Sequence, residues 1–276
     1  MYELHNKECL EHMHSMPAQS VDAILTDLPY GTTACAWDTV IPFEPMWEAV
    51  KHVLKPDGVF VTAARQPFSS LLIVSNLKWF RYEWVWNKLA GLGIHAKERP
   101  INIHENILVF SCKKPVYHPV MEKRKHFRPL PKTWGTALMD MSTCSRDLKH
   151  HKSGLKYPVS VFEYSGRGAE LNSCNRIHPT QKPVALYKYL VQTYTNEGDT
   201  VLDMCMGSGT TGVACIETGR NFIGCETEEE HFLTAQERLD RVSRQGQLFT
   251  AASSANKHSQ HDQNHNQRTI FDTLKN

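Results

Sequence analysis

The chain has 276 residues, 41% of them hydrophobic and 22% charged, with a formal net charge of +2. That composition excludes a chain dominated by disorder and supplies the apolar side chains for one large domain, or one domain with an insertion. No stretch approaches the roughly 18 apolar residues of a membrane span, and Met1 to Leu10, carrying Glu3, Lys7 and Glu8, lacks the basic start and apolar run of a signal peptide, so a soluble, cytoplasmic protein is expected.

In chain order, Val21 to Thr26 reads as a buried strand that opens into Asp27-Leu28-Pro29-Tyr30-Gly31, where proline and glycine stop regular structure. The spacing of Phe43, Met46, Trp47, Val50, Val53 and Leu54 predicts a helix. Lys55-Pro56-Asp57-Gly58 follows as a turn and Val59 to Thr62 as a strand, completing a β-α-β unit. Pro67 to Asn76 is compatible with a helix, and Tyr82 to Trp86 and Asn106 to Phe110 with further strands of a mostly parallel layer. From Lys113 to Arg176 the texture changes to Pro, His, Lys, Arg, Trp and Gly without a period, as in an insertion. Its first part, Lys113 to Lys156, holds 11 Lys or Arg against 3 acids, so the rest of the chain is net acidic. Order returns with a helix from Pro183 to Tyr194, a strand Thr200 to Asp203, a glycine loop, a helix from Thr210, a strand Phe222 to Cys225 and a helix from Glu229 to about Val242. Gln245 to Asn276 is rich in Gln, Asn, His and Ser and reads as a flexible tail. Eight scattered cysteines without a C-x-x-C pair predict reduced thiols, with neither a zinc site nor a disulfide framework.

The glycine loop, Asp203-Met204-Cys205-Met206-Gly207-Ser208-Gly209-Thr210-Thr211-Gly212, satisfies G-x-G-x-x-G between a strand and a helix, and Glu226 closes the next strand. Glycines let backbone approach a ligand, and a carboxylate after the second strand can accept both ribose hydroxyl protons. A nucleoside is implied, whether the ribose of NAD or that of S-adenosylmethionine; a tight turn without a ligand is the plainer alternative. Asp27 to Tyr30 bears on the choice. The lone pair of an exocyclic amino group is delocalised into its ring, so it attacks a methyl group poorly unless acceptors bind its hydrogens. Asp27 supplies a carboxylate, the backbone at Pro29 or its neighbour a carbonyl, and Tyr30 a flat face for a base rotated out of a duplex. Four residues alone also fit a strand-ending turn.

Together with His178-Pro179-Thr180-Gln181-Lys182-Pro183, these segments resemble the amino-methyltransferases of DNA. Asp27 to Tyr30 matches the catalytic motif D-P-P-Y, with Leu28 in place of the first proline. Asp203 to Thr211 matches the donor loop D-P-F-M-G-S-G-T-T, with Met204-Cys205 in place of Pro-Phe. The motif order resembles the permuted β class. The resemblance implies a Rossmann-like methyltransferase fold, a seven-stranded, mostly parallel sheet with helices on both faces plus an inserted target-recognition region. It divides the chain into a catalytic half (1–112), the insertion (113–176), a donor-binding half (177–244) and the tail (245–276). It further implies S-adenosylmethionine as donor, no metal, and Asp27, Pro29 and Tyr30 as catalytic residues. Donor contacts would come from Asp203, Met206, Gly207, Ser208, Gly209 and Thr210, from Glu226 at the ribose, from Thr180 and Lys182 near the donor carboxylate, and from Glu8 and Cys9 beside the donor adenine. Aspartate at position 27 favours N6 of adenine; N4 of cytosine is the alternative. A nicotinamide oxidoreductase, which leaves the tetrad and the basic insertion without roles, and a non-catalytic nucleic-acid-binding module are the less favoured readings, separated from a methyltransferase by binding of S-adenosylmethionine and not NAD.

Double-stranded DNA is the expected partner, through Lys123, Arg124, Lys125, Arg128, Lys132, Trp134 and Arg146, because phosphate contacts position a protein while base contacts specify. In the tail, Gln245 to Phe249 and Gln267 to Phe271 share Gln-x-x-aliphatic-Phe and look like sliding-clamp-binding peptides, although residues that pin the tail to the core are the plainer reading and the one favoured over it. Monomer and homodimer are both left open.

Overall fold

The computed structural model describes residues 1–32, 38–91, 96–123, 154–165 and 181–245. In chain order the elements are β1 (Tyr2–His5), α1 (Cys9–Ser15), β2 (Val21–Thr26), α2 (Phe43–Val53), β3 (Leu54–Ala64), α3 (Phe68–Ser75), β4 (Phe80–Asn87), β5 (His104–Phe110), β6 (Glu122–Lys123), β7 (Leu155–Lys156) and β8 (Val161–Glu163). Then come α4 (Val184–Tyr194), β9 (Thr200–Asp203), α5 (Thr210–Glu217), β10 (Asn221–Cys225) and a last helix, α6, over 229–245.

The central strands carry apolar residues on both faces, which suits a sheet covered on both sides. Along β2, Ala23 and Leu25 pack into one core and Val21 and Ile24 into the other; along β5, Ile107 and Val109 face one way and Leu108 and Phe110 the other. The first core is closed by Leu186, Leu190 and Tyr194 of α4, Val213 of α5 and Leu239 of α6. The second is closed by Met13 of α1, Met46, Trp47 and Val50 of α2, and Leu72 of α3. Helices therefore cover both faces, as expected.

The sheet has eight strands in the order β1-β10-β9-β2-β3-β5-β4-β8. This corrects the expected count of seven: β8, three residues from within the segment read as an insertion, pairs in parallel with β4 and adds an edge. Three residues are too few to register a period, so β8 could not be foreseen. A second difference concerns Lys55 to Gly58, predicted as a turn and found inside β3. Val21 pairs with Leu54 and Ala23 with Val59, so the extra residues bulge out of register while the strand continues. β5 runs antiparallel to both β3 and β4, and β6 with β7 forms a separate two-stranded ribbon.

The strands β1, β10, β9, β2 and β3 are mutually parallel, so their carboxyl ends share one edge of the sheet. From the seam between β2 and β9, the chain builds outward in opposite directions, to β3 on one side and to β10 on the other. A crevice forms at such a switch point, and ligands bind there in open α/β sheets. Asp27 follows β2 and Asp203 ends β9, so the two sequence motifs meet at this crevice.

Candidate active site

A cavity of about 780 Å³ opens over the seam and is lined by both motifs: Asp27 to Tyr30 on one side, and Asp203 to Ser208 with Glu226 on the other. The volume lies within the usual range for small-molecule sites. Glu8 and Cys9, at the start of α1, complete the wall beside the glycine loop, and Lys182 closes it from the segment that enters α4.

The donor side is built from backbone and carboxylates. Gly207, at φ +49°, faces open space, since a Cβ built there meets no atom within 4 Å. Its N–H donates to Glu226 Oε2 at 2.9 Å, while Glu226 Oε1 accepts from the N–H of Glu228 at 3.0 Å. Each oxygen retains a lone pair for a ribose hydroxyl. The Asp203 carboxyl is turned inward: it accepts from the Cys205 N–H at 3.1 Å and from the Thr211 hydroxyl. Burial pushes its pKa up to about 7, against the lowering effect of those bonds. Gly209 does not face the cavity. It caps α5 at φ +74°, and a Cβ there would stand 2.6 Å from Leu239 Cδ1 on α6. Met206 is buried, and its N–H donates to the Cys225 carbonyl at 2.9 Å. The Ser208 carbonyl and the Thr210 hydroxyl accept from Arg238 Nη1 at 2.9 and 3.2 Å, so a buried guanidinium on α6 seats the loop.

At the start of α1, Glu8 caps the helix by accepting from the Glu11 N–H at 2.8 Å, and the Cys9 thiol donates to Glu8 Oε1 at 3.3 Å. Burial works against the Glu8 charge, but these bonds outweigh it and hold the carboxyl below its ordinary range.

On the acceptor side, both Asp27 oxygens are engaged. The Tyr30 hydroxyl donates to Oδ1 at 2.6 Å and the Lys182 ammonium lies 2.7 Å from Oδ2. Leu28 sends its side chain into the core, leaving its backbone at the cavity. Tyr30 packs against Phe68 with ring centroids 5.3 Å apart, and burial with the adjacent Asp27 carboxylate raises its hydroxyl pKa well above the ordinary value. Lys182 therefore stands at the Asp27 carboxylate. Burial disfavours its charge, but Asp27 and Glu105 outweigh that and raise its pKa above the usual lysine value.

Four contributors escaped sequence reasoning. Asp38 accepts from the backbone N–H groups of Tyr30, Gly31 and Thr32 at 2.8 to 2.9 Å and so fixes the loop behind the tetrad. Glu105 and Lys88, from β5 and the end of β4, pair at 3.0 Å beneath Lys182. Tyr187 of α4 lines the cavity, buried near three carboxylates. An aspartate eight residues after a proline-tyrosine turn offered a faint signal for Asp38; the others depend on long-range packing. Thr180 lies outside the described residues, as do Arg124, Lys125, Arg128, Lys132, Trp134 and Arg146. Lys123 is exposed on β6. Among the described residues no group of His, Cys, Asp and Glu could hold a metal ion, and no helix is long and apolar enough to cross a membrane.

A nucleoside-sized cavity at the switch point of a doubly wound sheet, with a carboxylate facing a glycine loop, defines a group-transfer site of the methyltransferase type. Solved structures of this fold align over most of the chain: M1.HpyAVI in complex with SAM (TM-score 0.56, 24% identity, covering 87% of this chain and 100% of that one) and the PvuII cytosine-N4-specific DNA methyltransferase (TM-score 0.60, 17% identity, 88% and 91%). The chain belongs to the N6/N4 DNA methylase family, whose model matches residues 21–237. Similar proteins include the type II methyltransferase M.HpaI of Haemophilus parainfluenzae, 27% identical over 247 residues, with 84% of this chain and 72% of that one covered. The DNA adenine methyltransferase YhdJ of Escherichia coli K12 is 29% identical over 252 residues, with 86% and 82% covered.

Proposed function

We propose that this chain methylates the exocyclic amino group of a base in DNA, N6 of adenine, with S-adenosylmethionine as donor. The observation that carries this reading is that the Asp27 carboxylate and the open Gly207 turn with Glu226 border one cavity. The donor fits the residues present: backbone without a side chain at Gly207, a carboxylate with lone pairs to spare at Glu226, and Glu8 and Cys9 along the adjoining wall. When bound, S-adenosylmethionine supplies an electrophilic methyl group. Asp27 accepts one hydrogen of the target amine and the Leu28 carbonyl the other, which draws the nitrogen towards sp³ geometry and frees its lone pair. Asp38 holds the tetrad's backbone still while Tyr30 orients the Asp27 carboxylate. Preorganised acceptors of this kind act strongly because they need no rearrangement during reaction.

Adenine is favoured over cytosine by the aspartate at position 27 and by likeness to a protein named as a DNA adenine methyltransferase. The deciding experiment is to express the chain in a host without endogenous amino-methylation, digest the DNA to nucleosides and measure methylated adenine and methylated cytosine by mass spectrometry. N6-methyladenine is the expected product, and N4-methylcytosine alone would replace the base assignment. Asp27→Ala is expected to abolish product with donor affinity nearly unchanged; full activity in that variant removes the catalytic assignment. Under the same reading the protein works in the cytoplasm, and the basic segment from Lys113 to Lys156 contacts DNA phosphates. Gln245 to Phe249 and Gln267 to Phe271 dock on a sliding clamp. A pull-down unaffected by Phe249→Ala with Phe271→Ala would dismiss the docking.

A further inference from the structure

Glu105 has no part in the chemistry above, yet the charges of the site converge on it. It lies on β5 opposite Trp86 of β4 and is 7% exposed. Its Oε1 accepts from Lys88 Nζ at 3.0 Å. Its Oε2 is buried, makes no aligned hydrogen bond among the described residues, and faces Lys182 Nζ at 3.4 Å. The same nitrogen stands 2.7 Å from Asp27 Oδ2. One ammonium is thus held between two carboxylates, engaged by the catalytic one, while the other keeps an oxygen in reserve. A buried carboxylate oxygen whose ion pair at 3.4 Å lacks an aligned hydrogen bond is under-satisfied, so a second position of the ammonium that aligns with it is close at hand.

The first position has a chemical drawback. An ammonium bonded to Asp27 neutralises the charge that makes this carboxylate a strong acceptor for amine hydrogens. It also occupies the oxygen that Tyr30 leaves free. We propose that Glu105 is a positioning residue that takes over the Lys182 ammonium when a target amine reaches Asp27, so that Lys182 holds the catalytic carboxylate ready beforehand and releases it for reaction. The proposal rests on Asp27 being the amine acceptor, as argued above. No proton moves and no bond breaks: rotation about the last torsions of the lysine exchanges two acceptors of one nitrogen. Lys88 keeps the far oxygen of Glu105 throughout, and Arg65, which also lines the cavity, adds positive potential at Glu105. The neutral hydroxyls of Tyr30 and Tyr187 contribute no competing anion.

The test is single-turnover transfer of tritium from labelled S-adenosylmethionine to unmethylated genomic DNA, with donor affinity measured separately by calorimetry. Glu105→Gln keeps the shape but removes the charge that attracts the ammonium; it is expected to slow the methyl-transfer step by about tenfold or more while donor affinity stays within about twofold. Glu105→Asp, with the charge retained on a shorter arm, is expected to recover part of the rate. Adding Lys182→Met to Glu105→Gln is expected to speed the enzyme, because the ammonium that can no longer leave Asp27 is gone. A Glu105→Gln rate within about twofold of wild type, or a double variant slower than Glu105→Gln, overturns the proposal. Should Glu105→Gln fail to give a cooperative melt, the comparison is made with Glu105→Asp, where a wild-type rate overturns it. Wild-type protein that transfers no methyl group would instead strike at the proposed function itself.

Discussion

At Asp203 two physical effects oppose one another, and burial prevails. Its carboxyl is 3% exposed and its pKa is pushed up to about 7, although Thr211 and the Cys205 N–H both bond to it. A folded pKa above the unfolded value means that the native state holds the proton more tightly. The contribution to stability is full below the ordinary carboxylate range and is lost as pH rises through about 7. Urea melts of wild type and Asp203→Asn at pH 5.5 and pH 8 check this: the wild type is expected to lose about 2 kcal/mol more than the variant across that interval. The residue types at 27 to 30 and at 203 to 211 were legible because each is a short contiguous motif with its own chemistry. Glu105 and Lys88 were not. Their meeting depends on the β4–β5 pairing, which brings Asn87 opposite His104, and no local pattern encodes that register.

Among the elements, the helix over 229–245 does more than cover the sheet. Leu239 and Ala235 fill the space beside Gly209, Leu239 also reaches Gly212, and Arg238 holds Ser208 and Thr210. Of the three glycines in the loop, only Gly207 is open to the cavity; the other two admit the helix. Gly209→Ala combines a left-handed backbone with a clash against Leu239, and is expected to destabilise the fold by about 2–4 kcal/mol, read as a lowered urea midpoint. Gly207→Ala meets no clash but carries the same left-handed strain at φ +49°, so it is expected to cost less than Gly209→Ala, about 1–2 kcal/mol, and to weaken donor binding in calorimetry. The alternation of strands and helices was readable from periodicity because each predicted element is apolar on a spacing of its own. β1, at four residues, and β8, at three, were too short to show one, and Lys55 to Gly58 carried the residues of a turn but serves as a bulge.

For the molecule as a whole, the cavity draws on segments far apart in the chain: Glu8 and Cys9 near the start of the described residues, Glu226 towards their end, and Asp27 and Asp203 between them. A ligand there ties these segments together and binds only the native state. Saturation with S-adenosylmethionine at about 100 times its Kd is expected to add about 2.7 kcal/mol, seen as a raised Tm, whereas NAD at the same concentration leaves Tm unmoved. The seam that makes this possible joins β2 to β9, and there Asp22 Oδ2 accepts from the Thr200 N–H at 2.9 Å across 178 positions of the chain. A ribosome therefore releases the turn that carries Asp27 long before it has made the strand beside it. At about 5–20 residues per second, β2 waits on the order of ten seconds or more with one hydrogen-bonding edge bare. No nascent fragment ending short of Glu226 holds the complete pocket, so the newborn chain stays inert until that residue has been made.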